Sequence, residues 1–284
     1  MPIDVQRVLI IGAGTMGSGI AQVAARAGYQ TVLYDVAQAA AQKALERIAD
    51  SLARAVEKGR CTADERQQAL ARLTVTADLD AACAEADLIV EAAPEDLALK
   101  RELFGRISKA ARAEAILASN TSSLPITAIA SAARAPERVI GLHFFNPVPA
   151  MKLLEIVHGE RTHPMVVTAA RAIGARLGKE VVVVRDAPGF ATSRLGIALA
   201  MEAIRMLEEG VASAEEIDRA IELGYGHPMG PLKLTDQVGL DVRLAIAEHL
   251  TQELGERFRP PQLLRRLVRA GKLGKKSGEG FYKY

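Results

Sequence analysis

Three glycines near the start of the chain have the spacing of a phosphate-binding turn. Gly12, Gly14 and Gly17 follow a short apolar run and open an alanine-rich helical pattern. In such a G-x-G-x-x-G turn the first glycine permits a tight bend, the second lets a pyrophosphate approach the backbone, and the third lets helix and strand pack closely. The first amides of the helix add N–H donors and a partial positive charge. The segment, with Thr15 and Met16 inside it, is therefore predicted to bind a dinucleotide.

An aspartate after the next apolar run indicates which dinucleotide binds. Asp35 follows Gly17 at the spacing of about 20 residues at which this motif places an acidic residue. Its carboxylate can accept hydrogen bonds from both ribose hydroxyls and would repel a 2′-phosphate. Val36, Ala37 and Gln38 come next, so no adjacent arginine offers that phosphate a partner. The sequence predicts NAD rather than NADP. The alternative, a glycine turn followed by a solvated aspartate, fits the strand–turn–helix context less well.

Short apolar runs that alternate with helical patterns must position these residues. Strand, helix and strand within the first 35 residues form a βαβ unit, which implies a parallel sheet. The predicted strands are residues 8–11, 31–35, 87–91, 115–119, 139–143, 153–157 and 181–184. Between the second and third of these, an alanine-rich stretch runs to Lys58, and Thr62 with Glu65 matches a capping box. This pattern predicts a helical hairpin inserted into the sheet. We expect the hairpin to be too long for a crossover and to have a second role.

The pattern changes at residue 186. A cluster of residues that break helices and strands, Asp186 to Gly189, is followed by long helical patterns, with no strand pattern until Phe281. We therefore expect two domains, residues 1–186 with the sheet and residues 187–284 with helices alone.

The composition excludes several classes of protein. Apolar residues make up 49% of the chain and charged residues 25%, as in an average folded protein. The net charge of +2 predicts neither nucleic acid nor an anionic membrane as a partner. No apolar run approaches the ~18 residues of a membrane span, and the first residues lack a signal-peptide pattern. Cys61 and Cys83, both expected on solvent-facing helices, are too few for a disulfide framework. We expect a cytoplasmic protein without a metal site.

Several longer motifs resemble a known family of enzymes. They are SNTSSL at 119–124, GLHFFNPVP at 141–149, PGF at 188–190, HPMGP at 227–231 and GKKSGEGFYKY at 274–284. In this order they resemble the L-3-hydroxyacyl-CoA dehydrogenases, and the size of the chain suits the single-function bacterial type, the 3-hydroxybutyryl-CoA dehydrogenases. The resemblance implies a Rossmann-type doubly wound sheet with an inserted helical hairpin, followed by an all-helical C-terminal domain for dimerisation and substrate binding. It also implies NAD-dependent oxidation of (S)-3-hydroxyacyl-CoA to 3-ketoacyl-CoA in fatty-acid metabolism.

The resemblance assigns catalytic roles to three residues. His143 matches the family's general base, which must take the hydroxyl proton as hydride leaves C3. Glu155 matches the carboxylate that orients the imidazole and stabilises its charged form. The aspartate of a Ser-His-Asp triad does the same for its histidine, but no nucleophile is needed here. Ser122 matches the serine that hydrogen-bonds the 3-oxygen. Considered without the resemblance, they would be a core histidine, a strand glutamate and a turn serine.

Further positions match residues that bind the cofactor or coenzyme A. The resemblance assigns the nicotinamide side of the cofactor site to Glu95, Lys100, Ser122 and Asn146. Lys276 matches a lysine near the cofactor, in its own or the partner subunit. Ser51 and Lys58 match positions that contact coenzyme A, and Arg54 shares their helix face. A solvated helix face is the alternative for this last group.

One position departs from the family's pattern. The helix after the PGF motif carries an asparagine in typical members, and Ser193 stands there in this chain. Serine is shorter and lacks the paired donor and acceptor of an amide. It can still reach the substrate carbonyl through a water. The departure concerns how the substrate is held rather than the reaction.

Two other functions remain open. Dehydrogenases of the 3-hydroxyisobutyrate or 6-phosphogluconate type also join a Rossmann domain to a helical one, but they rely on a lysine in the long helix after the boundary. Residues 190–210 contain no lysine. A structural protein derived from a dehydrogenase, as in some lens crystallins, would not need His143, Glu155 and Ser122.

The apolar stretch Leu195 to Met206 predicts a homodimer formed largely by the helical domain.

Overall fold

The chain divides into two compact units. A computed structural model describes residues 3–284, so the first two residues of the predicted domain 1–186 lie outside the described range. One unit ends at Asp186, and the other runs from Ala187 to Tyr284. The first unit contains a β-sheet with flanking helices, and the second is built from helices.

Within the described residues, eight strands form the sheet of the first unit. They are β1 (Arg7–Ile11), β2 (Gln30–Tyr34), β3 (Leu73–Thr76), β4 (Leu88–Glu91), β5 (Ile116–Ser119), β6 (Val139–Phe144), β7 (Leu153–His158) and β8 (Glu180–Arg185). Their order across the sheet is β3-β2-β1-β4-β5-β6-β7-β8. Neighbours are parallel, apart from the antiparallel pair β6–β7. Every residue of β4, β5 and β6 is buried, as is usual for parallel strands with helices on both faces.

Helices connect these strands and have local sequence signals at their ends. They are α1 (Thr15–Arg26), α2 (Gln38–Glu57), α3 (Ala63–Ala71), α4 (Leu79–Glu85), α5 (Leu97–Ala110), α6 (Ile126–Ala130) and α7 (Pro164–Arg176). Thr62 and Glu65 form a capping box at the start of α3. The Asp96 carboxylate accepts a hydrogen bond from the Leu99 amide at the start of α5. α2 buries one narrow apolar stripe of its surface, and its other face is polar.

The predicted fold class is confirmed, with one correction. Each predicted strand is present and ends within one residue of its predicted limits. The helical hairpin is also present, as α2 and α3. It leads into β3, which is missing from the sequence-based prediction and pairs in parallel with β2. The hairpin is therefore the crossover between two adjacent strands, and the expectation that it is too long for this is wrong.

Both cysteines are buried, so the expectation of solvent-facing positions is also wrong. Cys61 lies in the turn between α2 and α3 and is 9% exposed, and Cys83 lies in α4 and is fully buried. Within residues 3–284 neither forms a disulfide. Burial raises the pKa of the Cys83 thiol to about 12. Both side chains thus act as small apolar groups that fill space between helices.

The second unit packs its helices around a core of its own. They are α8 (Thr192–Glu208), α9 (Ala214–Tyr225), α10 (Pro231–Val238), α11 (Leu240–Leu254) and α12 (Gln262–Arg269). Ser213 and Glu216 form a capping box at the start of α9. The core includes Ile197, Met201, Ile204, Leu232, Leu240 and Leu250. Within residues 3–284, no helix is long and apolar enough to cross a membrane.

Candidate active site

The turn between β1 and α1 leaves no room for side chains at two of its three glycines. Gly12 has a φ of 103°, and a Cβ there would lie 2.6 Å from the carbonyl oxygen of Ala92. A Cβ at Gly17 would lie 1.8 Å from the carbonyl oxygen of Gly12. The helix begins at Thr15, and within residues 3–284 no side chain caps it. Its first N–H groups can therefore bind an anion, so the turn fits the pyrophosphate of a dinucleotide.

Asp35 lies directly after β2 and beside this turn. Its Oδ2 accepts a hydrogen bond from the Ala13 amide at 2.8 Å, and its Oδ1 accepts one from the Ala37 amide at 2.9 Å. Because each carboxylate oxygen has two acceptor sites, Asp35 is held in place and can still accept from a ribose.

Arg47 of α2 also reaches the turn and was not predicted from the sequence. Its Nη2 donates to the Ala13 carbonyl oxygen at 2.7 Å. It precedes Ser51 by four residues, so both lie on one face of the helix. That spacing is the signal that could have identified it. Arg47 adds a positive charge beside the glycine turn.

His143 and Glu155 form a buried pair on neighbouring strands. The two residues lie directly opposite each other in the antiparallel register of β6 and β7. Nδ1 of His143 is 2.7 Å from Oε2 of Glu155. The histidine is 6% exposed and the glutamate is fully buried. Since the carboxylate faces Nδ1, it favours the tautomer with the proton on that nitrogen and stabilises an imidazolium.

A loop after β5 presents Ser122 and is held by Glu95. Oε1 of Glu95 accepts from Oγ1 of Thr121 at 2.7 Å, from the Ser122 amide at 2.9 Å and from Oγ of Ser122 at 3.1 Å. The amide and hydroxyl of Ser123 donate to the same oxygen. Burial alone would raise the pKa of the Glu95 carboxyl, but the hydrogen bond from Thr121 and the charge of Lys100 hold it below its usual value. Glu95 therefore stays ionised and fixes the loop.

Lys100 lies behind this loop in a buried ion pair. Its Nζ is 2.5 Å from Oε1 of Glu91, and both side chains have no exposed surface. The same ammonium is 3.7 Å from Oε2 of Glu95, and Oε2 of Glu91 accepts from Oγ of Ser119 at 2.6 Å. Lys100 therefore acts on the Ser122 loop through its ion pair with Glu95. Glu91 was not identified from the sequence, because an apolar run that ends in glutamate has the pattern of an ordinary strand end.

Asn120 ties this loop to β6, and Asn146 lines a separate cavity. Oδ1 of Asn120 accepts from the Phe144 amide at 2.9 Å, which ties the loop to the residue after His143. Asn146 lines a cavity of about 300 Å³ together with α1 and α2. The side chains of this cavity that can form hydrogen bonds are Thr15, Ser18, Gln22, Arg47, Ser51 and Asn146. Lys58 is exposed at the C-terminal cap of α2 and does not line the cavity.

The remaining predicted site residues belong to the second unit. Ser193 lies in the first turn of α8 and is partly buried. Lys276 is exposed, and its Nζ lies 2.6 Å from Oδ1 of Asp241. In residues 3–284 as a whole, no group of three or more histidine, cysteine, aspartate or glutamate side chains could hold a metal ion.

The chain matches the models of one protein family over nearly its whole length. Residues 7–187 match the NAD-binding domain of the 3-hydroxyacyl-CoA dehydrogenases, and residues 189–284 match the C-terminal domain of the same family. The uncapped start of α1 and the cradle formed by Gly12 and Gly17 suit the NAD that this domain binds.

Named relatives and solved structures indicate the same family. A 3-hydroxybutyryl-CoA dehydrogenase of Mycobacterium tuberculosis is 45% identical over 283 residues, which cover 99% of each chain. A 3-hydroxyadipyl-CoA dehydrogenase of Escherichia coli is 44% identical over 284 residues, 99% of this chain and 60% of the longer relative. The crystal structure of (S)-3-hydroxybutyryl-CoA dehydrogenase from Ralstonia eutropha has a TM-score of 0.95 at 41% identity and 99% coverage of both chains. The chain belongs to the 3-hydroxyacyl-CoA dehydrogenase family.

Proposed function

We propose that this enzyme oxidises the 3-hydroxyl group of an (S)-3-hydroxyacyl-CoA to a ketone and catalyses the reverse reduction of acetoacetyl-CoA. The relative from Mycobacterium tuberculosis is named for the hydroxybutyryl substrate, and the one from Escherichia coli for the hydroxyadipyl substrate. Bound NAD supplies the acceptor for the hydride that leaves C3. The observation that carries the proposal is the buried pair of His143 and Glu155, which suits a base for the hydroxyl proton.

His143 acts as the general base in oxidation and as the general acid in reduction. As the bond between C3 and its hydrogen breaks, the hydroxyl proton must leave for the carbonyl to form. Glu155 occupies Nδ1 of the imidazole, so Nε2 is the nitrogen that exchanges this proton. The imidazolium that results stays paired with the buried carboxylate, which lowers the cost of forming a charge there. In the reverse direction the same nitrogen returns the proton to the 3-oxygen.

Ser122 positions the 3-oxygen of the substrate. Its backbone amide and hydroxyl both donate to Glu95, and that carboxylate is supported in turn by Lys100. The one hydrogen of the substrate's alcohol goes to Nε2 of His143, so the Ser122 hydroxyl turns from Glu95 and donates to the 3-oxygen. We assign to Ser122, Glu95 and Lys100 the task of orienting the alcohol beside the nicotinamide.

The cavity beside α1 and α2 is the place we propose for part of coenzyme A. Ser51 and Arg47 supply a hydroxyl and a guanidinium, and Asn146 supplies an amide. Lys58 lies further along α2 and can approach a phosphate through solvent. We further assign Ser193 to the acyl part of the substrate and Lys276 to the cofactor.

We also propose that the protein is a cytoplasmic homodimer joined through its second unit. Three large apolar side chains of α8 and α9 are more than two-thirds exposed in the single chain: Leu195 at 71%, Leu223 at 72% and Tyr225 at 79%. Exposed apolar surface of this kind is typical of contacts between subunits. The unpaired thiols of Cys61 and Cys83 favour a reducing compartment.

The oxidation of NADH with acetoacetyl-CoA tests the proposed activity. We expect turnover that depends on both compounds and is retained with a longer 3-ketoacyl-CoA. NADPH should replace NADH poorly. A folded protein that binds NADH and turns over neither acyl-CoA would refute the proposal.

A further inference from the structure

Arg243 is a buried arginine without a partner among the residues that the structure describes. It lies in the first turn of α11 and is 7% exposed. Its Nε has no hydrogen-bond partner among residues 3–284, and no hydrogen bond or ion pair in that range involves its guanidinium. The nearest acid along the helix, Asp241, is already paired with Lys276.

Such an arrangement is unfavourable for the isolated chain. A guanidinium stays charged at neutral pH, and charged side chains are almost never buried unless they are paired. Burial lowers the pKa of Arg243, and no neighbouring acid offsets this. A buried charge left alone destabilises a fold, whereas apolar replacements are often neutral or stabilising. We therefore expect the charge of Arg243 to be paired by a group from outside the chain.

The guanidinium lies against the backbone of α8. A Cβ at Gly196 would be 3.2 Å from Nη1 of Arg243, so the absence of a side chain at this position makes room for the arginine. Ser193 precedes Gly196 by three residues, which places both on one face of the helix, about 4.5 Å apart along its axis. Arg243 therefore lies against α8 about one turn from the residue that we assign to the acyl part of the substrate.

We propose that Arg243 binds a carboxylate at the far end of the acyl group, so that the enzyme accepts CoA thioesters of 3-hydroxydicarboxylic acids. This inference rests on the proposed function, because it takes the position of Ser193 as part of the acyl site. A carboxylate supplies the missing negative charge and matches the planar guanidinium with two parallel hydrogen bonds. A neutral acyl chain supplies neither.

The test compares two substrates and two variants. Arg243→Met removes the charge at nearly constant volume, and Arg266→Met removes a charge from an exposed position of α12 as the matched control. We expect Arg243→Met to lower kcat/KM for 3-oxoadipyl-CoA by about 10- to 10²-fold, mainly through KM, because a charge-assisted pair is lost. With acetoacetyl-CoA the change should stay below about threefold. Arg243→Lys should recover part of the loss, and Arg266→Met should change neither substrate.

Stability and assembly separate this role from a structural one. The melting temperature of Arg243→Met without ligand should equal or exceed that of the wild type, since an unpaired buried charge is removed. Equal losses on both substrates, or no loss on either, would contradict the inference while leaving the proposed function intact. A dimer that dissociates in Arg243→Met would also contradict it, because the missing carboxylate would then come from a second copy of the chain. A wild type inactive on both substrates would instead refute the proposed function.

Discussion

Replacing Glu91 by glutamine should destabilise the first unit strongly. Glu91 and Lys100 are fully buried with their charged atoms 2.5 Å apart. Glutamine keeps the size of the side chain and removes its charge, so the ammonium of Lys100 is left buried without its closest counter-charge. Breaking a buried pair from one side in this way typically costs about 3–5 kcal/mol. We expect a decrease of that size in the free energy of unfolding, measured by urea denaturation.

Two further variants show whether burial is the cause. Glu85→Gln removes the partner of Arg7 at a similar distance, 2.7 Å, but these side chains are 71% and 56% exposed, so the loss should stay within about 1 kcal/mol. The double variant Glu91→Gln with Lys100→Met should recover much of the stability, because no unpaired charge remains. It should stay impaired in turnover, since Glu95 has lost its nearest cation. A cost below about 1 kcal/mol for Glu91→Gln alone would refute this reasoning.

Three other outcomes are expected. Glu155→Gln should lower kcat by about 10²-fold or more while the Kd for NAD stays unchanged, because the buried carboxylate stabilises the imidazolium that forms in oxidation. The wild type should favour NADH over NADPH by roughly 10²-fold in kcat/KM, and Asp35→Ser with Val36→Arg should shrink or reverse that ratio, because Val36 is 92% exposed and can carry a cation to the 2′ position. Leu223→Glu should convert the dimer to monomers in light scattering, and an unchanged mass would place the interface elsewhere.

The strands and the cofactor turn could be predicted because each has a local signal. An apolar run such as residues 139–143 lies in the sheet interior, where its short length and β-branched residues identify a strand. The turn at Gly12 combines a motif with the strand and helix that the motif requires. β3 has two polar threonines among its four residues and begins two positions after α3 ends, so it lacks the continuous apolar run that identified the other strands.

Interactions between distant residues were harder to predict. Lys100 is predicted from the sequence to lie at the cofactor. Its partner Glu91 lies nine residues earlier, across a turn that brings β4 and α5 together. Arg243 gave no signal either, since an arginine in a helical pattern is ordinarily a solvated residue. Its isolation becomes visible only when the packing of α8 and α11 is known. Burial of charge is a property of the folded chain, and periodicity alone does not report it.

The effect of His143→Gln on turnover tests the central claim most directly. The variant keeps the size and polarity of the side chain but has no group that can take a proton near neutral pH. Loss of a positioned general base typically costs 10²–10⁴-fold, so kcat for acetoacetyl-CoA reduction should fall by that factor while NADH still binds with the wild-type Kd. A fall of less than about tenfold would mean that another group carries the proton, and the role assigned to the pair of His143 and Glu155 would be wrong.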